Sequence, residues 1–208
     1  MGEAALVAVA TSTNDLTLKE SAIIALLKRS RDGAEFQALA RLVAPAIGQL
    51  MAAKPVLRQP FMFAMAAAAV GDVASARAAR AEVGQGGAGP APADVAVLDA
   101  LIGVAASPPD PVALQALGPL ASGANGPLRT RTAGALALLG GLVPLGPQSR
   151  FDVADADLGP AQVPPGRRLA MEQAAERALM VRALRQAHLD ADARGFAIEG
   201  LVALQARP

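Results

Sequence analysis

Residues 60–83 read Pro60-Phe-Met-Phe-Ala-Met-Ala-Ala-Ala-Ala-Val-Gly71-Asp72-Val-Ala-Ser-Ala-Arg-Ala-Ala-Arg-Ala-Glu-Val83. Proline at a first helical position has its φ preset for the helix and forfeits only an N–H that would be unbonded anyway. Gly71 supplies the left-handed residue that ends a helix, and Asp72 offers a carboxylate to the first N–H groups of the next. Two helices, 60–70 and 73–83, are therefore expected with so short a connection that they must lie antiparallel against each other.

The same stop-and-start signals recur on both sides. Thr17-Leu-Lys-Glu20 has the spacing of a capping box before the Ile23, Ile24, Leu27 stripe, and Asp32 with Glu35 repeats it before Phe36, Leu39, Leu42 and Val43. Pro45 is expected to kink or end that helix, leaving a short one over 46–53. Asp94 should open a helix ending near Ser107, and Asp110-Pro111 another that stops around Gly118. Helices over 128–142 and 167–188 follow, separated by a proline-rich extended segment over 143–165. A break at Asp190-Ala-Asp192 precedes a last helix through Leu204. No stretch alternates apolar and polar residues with the β-branched content of a strand. The fold expected is all-α, with antiparallel helix pairs stacked as an α-solenoid or an irregular superhelical array. It is one domain over 1–208, divisible into 1–83 and 94–208 around the Gly/Pro-rich loop 84–93.

Composition agrees with this reading and narrows the chemistry. Alanine, the strongest helix former, fills 51 of 208 positions. Hydrophobic residues are 53% and charged residues 18%, which excludes disorder for most of the chain. Cysteine is absent and His188 is the only histidine, so disulfides, thiolate metal sites and most nucleophilic dyads are excluded. The formal net charge is +1, which provides no overall field for nucleic acid. Sixteen of the 19 basic residues are arginine, which together with the Ala, Gly and Pro surplus reads as a high-GC bacterial coding bias. The apolar run 4–10 lacks a basic leader, and the uncharged stretch 132–149 is broken by Gly140, Gly141, Pro144 and Pro147. Neither reaches the ~20 residues of a membrane span. The expected location is the cytoplasm, or the periplasm where a leader or anchor has been trimmed.

Residues 60–83 resemble one repeat of the tetratricopeptide-like α-solenoids. Ala64 and Ala76 stand at the small positions of the two helices, with Gly71-Asp72 at the turn. Ala67 replaces the aromatic of the family pattern, and no 34-residue recurrence follows. The resemblance covers about one repeat, implies a binding scaffold and transfers no catalytic residue.

Candidate sites are few. His188, Asp190 and Asp192 are the only histidine and carboxylates that meet, and imidazole with carboxylate can hold a divalent cation. A helix-end histidine followed by a capping Asp explains the same residues, and no second His or Cys completes a ligand set. Asp152, Asp155 and Asp157 lack the spacing of a calcium loop and read as a solvated acidic loop. The segment 84–89 has glycines but no Gly-Lys-Ser/Thr and no preceding strand. Basic clusters at Lys28-Arg29-Ser-Arg31, Arg129-Thr-Arg131 and Arg167-Arg168 lack stacking aromatics, since Tyr and Trp are absent. No Gly-x-Ser-x-Gly elbow accompanies the single histidine.

What remains is a noncatalytic helical-repeat scaffold that binds a protein or peptide, with no cofactor. Phe61, Phe63 and Met65, joined by Arg129 and Arg131, form the expected contact surface. The alternatives are a structural or regulatory module of a larger bacterial assembly, and a helical small-ligand carrier or enzyme.

Overall fold

The structure is a computed structural model that describes residues 2–53, 56–84, 89–107, 135, 138, 142 and 165–205. Among these residues the chain is all-helical, with eight helices and no strand. None of the helices is long and apolar enough to cross a membrane. The chain divides into two compact units, residues 1–90 and 91–208. The expected helix over 110–118 and the extended segment 143–164 lie outside the described residues.

The first unit holds α1 (Glu3–Ser12), α2 (Leu16–Leu27), α3 (Gly33–Ala52), α4 (Pro60–Ala69) and α5 (Val73–Glu82). Each packs on its immediate neighbour, and α1 with α3, α2 with α4 and α3 with α5 also pack. The four neighbours of α3 thus form a fan, α1–α2–α4–α5, in which each member touches the next. No packing of comparable extent joins α5 back to α1, so the fan is open on one side.

Helix α3 is centred in this fan because its burial pattern is wide. Phe36, Leu39, Ala40, Val43, Ala46, Ile47 and Leu50 form a continuous helical stripe, all buried. The expected break at Pro45 does not occur: one helix runs from Gly33 to Ala52 with Pro45 inside it. Proline in a helix interior costs about 3 kcal/mol, through the lost bond and the clash with the carbonyl four residues back. Here Pro45 and Arg41, whose carbonyl is freed, both lie on the exposed side, where water can take over that bond. Beyond the proline, Ile47 and Leu50 are fully buried, and each contributes about 1.5–3 kcal/mol relative to exposure. Burial outweighs the local defect.

The caps differ in detail from the sequence reading. Asp15, not Thr17, is the N-cap of α2, and its carboxylate accepts from the N–H groups of Thr17 and Leu18. Glu20 is released from any capping box and is buried; its Oε1 accepts the Arg58 N–H at 2.6 Å. From α5, Glu82 Oε2 accepts the adjacent Leu57 N–H at 3.0 Å. Two carboxylates from different helices therefore pin the α3–α4 connection by its main chain, with Leu57 buried beneath. Asp32 caps α3 as expected, and Glu35 returns a bond to the Arg31 N–H. Two further polar side chains are buried. Gln37 Nε2 donates to the Ala69 carbonyl at the end of α4, and Lys19 Nζ donates to Gln49 Oε1.

The second unit contains α6 (Pro92–Ala105), α7 (Pro165–Gln186) and α8 (Asp190–Gln205), with α8 packed on both α6 and α7. Helix α6 starts at Pro92, two residues before the expected Asp94 cap, because Ala91 takes the N-cap position and Asp94 falls in the first turn. Ala135, Leu138 and Leu142 are helical, at the i, i+3, i+7 spacing of one face. Leu142 packs on the cluster of Val181, Ala193 and Ala197, alongside Leu184 and Phe196. Leu138 is fully buried over Gly200, where an added Cβ would lie 2.8 Å from its Cδ1. Arg177 ties α7 to α8: its guanidinium lies 4.4 Å from the Phe196 ring centroid and 3.3 Å from Glu199 Oε2.

One turn is used twice. At the end of α4, the Asp72 N–H bonds the Ala67 carbonyl and the Gly71 N–H bonds that of Ala68, with Gly71 at φ 82°. At the end of α7, the Leu189 N–H bonds Leu184 and the His188 N–H bonds Arg185, with His188 at φ 61°. Both are Schellman caps in which the residue after the left-handed position is already the N-cap of the next helix. The first was legible from its glycine. The second lies two to three residues before the expected break at Asp190-Ala-Asp192, because a histidine fills the left-handed position.

Candidate functional site

The expected surface of Phe61, Phe63 and Met65 does not form. Phe63 and Met65 are 0% and 2% exposed, and α4 is buried on every side from Phe63 to Ala69. Phe63 points about 200° away from Phe61 and Met65, which stand one turn apart, so the three share no single face. Phe61 is half-buried at the start of the helix. Arg129 and Arg131 lie outside the described residues.

His188, Asp190 and Asp192 are all exposed at the α7–α8 turn. Asp190 and Asp192 occupy the first turn of α8, where negative charge complements the helix dipole, and Leu189 rather than either aspartate is the N-cap. Asp190 Oδ1 lies 3.7 Å from Arg185 Nε, an exposed pair across the turn. Among the described residues no three His, Cys, Asp or Glu side chains gather as metal ligands.

In the first unit the carboxylates serve the main chain. Asp15, Glu20, Asp32, Glu35, Asp72 and Glu82 each accept a backbone N–H, as caps or as clamps on residues 57 and 58. Glu3 is the one remaining acidic residue in 1–90. Acid groups held in this way fix local structure.

The feature that emerges from the geometry is the exposed side of α3. Ala34, Ala38, Arg41, Leu42 and Pro45 lie there in one strip, opposite the buried stripe. It is the side of α3 turned away from the buried stripe that its neighbours cover. Leu42 is 49% exposed, an apolar side chain presented to solvent in the middle of the strip. The exposed residues of α5 are Ala74, Arg77, Ala78 and Ala81, and those of α1 include Ala4, Ala5 and Ala8. Sequence reading missed the strip because it placed Leu42 in the apolar stripe with Phe36, Leu39 and Val43, whereas Leu42 lies on the exposed side. The signal available was helical phase, since Ala46, Ile47 and Leu50 continue the direction of Phe36, Leu39 and Val43 and Leu42 falls outside it.

No family model, curated protein or solved structure matches the chain.

Proposed function

We propose that this protein is a noncatalytic helical-repeat scaffold that binds another protein or peptide. The observation that carries the reading is the order of packing in the first unit. Every extensive helix contact there joins nearest or next-nearest neighbours in sequence. Arrays that grow one helix at a time have this order, and they leave one row of helices open as an extended binding surface. A closed bundle would bring the first helix against the last. The recurrence of one turn geometry at α4–α5 and α7–α8 supports the same reading, since repeated hairpins are the building unit of such arrays. Carboxylates committed to backbone N–H groups favour a structural over a catalytic use of the polar residues.

The test is affinity capture of the full chain from its native lysate, followed by titration of each captured protein against the purified full chain. A saturable stoichiometric complex with a protein supports the reading. Copurification of a small molecule or metal ion, with no protein that rebinds, overturns it in favour of a carrier or enzyme.

A further inference from the structure

We draw no further inference here: the strongest candidate, the surface patch of Leu179 and Met180 on α7, both more than half exposed, is an unpartnered apolar helix face, and nothing in the structure shows what covers it.

Discussion

Helix α8 contains two glycines, and the structure assigns opposite signs to the same substitution at each. Replacing a helix-interior glycine by alanine contributes about 0.5–1 kcal/mol, because the unfolded chain loses conformational freedom. At Gly195 an added Cβ meets nothing within 4 Å, so the full gain is expected. At Gly200 the Cβ would lie 2.8 Å from Leu138 Cδ1, 3.1 Å from Cδ2 and 3.4 Å from Arg177 Cδ. Carbon atoms favour separations of about 3.5–4.0 Å, so Leu138 would have to retreat by most of an ångström. It is fully buried and has nowhere open to go. Overpacking of this kind costs about 1–3 kcal/mol, which exceeds the propensity gain. Gly195→Ala should therefore raise the thermal midpoint by about 1–4 °C, and Gly200→Ala should lower it by a similar or larger amount. The assay is denaturation of the two variants followed by far-ultraviolet circular dichroism, with Leu138→Ala added to each background. Leu138→Ala should cost about 2–5 kcal/mol alone. Combined with Gly200→Ala it should cost at least about 1 kcal/mol less, since the methyl partly fills the space vacated. Gly200→Ala stabilising as Gly195→Ala does, or additive costs in the double mutant, would refute the seating of Leu138 on α8.

Three further outcomes follow from the turns and clamps. His188→Gly should stabilise the α7–α8 hairpin by about 0.5–1 kcal/mol by removing a Cβ from a left-handed residue. Gly71→Ala should destabilise by about 1 kcal/mol although its Cβ would meet nothing within 4 Å, because φ 82° alone is unfavourable; urea titration reads both. Glu20→Ala should cost about 1–3 kcal/mol by stranding the Arg58 N–H, and hydrogen exchange should accelerate at Leu57 and Arg58 before it does elsewhere in the unit. Asp15→Ala should cost about 0.5–2 kcal/mol through the lost α2 cap, whereas Thr17→Ala should change thermal stability far less, which separates the observed cap from the one suggested by spacing.

These variants also trace where the sequence was readable. The α4–α5 hairpin was legible residue by residue, because its signals are local: a proline at the first position, a glycine at the left-handed one and an aspartate at the cap. The α7–α8 turn has the same backbone and was displaced in the reading, because a histidine marks positive φ far more weakly than a glycine does. Glu20 stands three residues after Thr17, as a capping box requires, and was recruited instead by a backbone group 38 residues away. Long-range partners of this kind leave no trace in short-range spacing. Helix α1 was weighed only as a leader segment, since an apolar run of seven residues says nothing of the two helices it packs on.

Phe63 and Met65, expected at a contact surface, are in the core for a physical reason. In an alanine-rich chain, large apolar residues are scarce enough that each attracts attention as a potential contact. Scarcity also makes them valuable to the core: Phe36, Phe63, Ile23, Leu26 and Leu27 are among the largest fully buried side chains. A dense apolar cluster such as Phe61-Met-Phe-Ala-Met65 is therefore better evidence of interior than of interface. Leu42 is one of several apolar residues that reach solvent; on α3 it sits among alanines, an arginine and a proline, and only its helical phase separates it from the buried stripe. Continuity is decided by the burial of Ile47 and Leu50 on the far side of Pro45. Which face of α3 meets solvent is thus a by-product of how the opposite face of the same helix is packed, set by tertiary burial rather than by any motif that marks it.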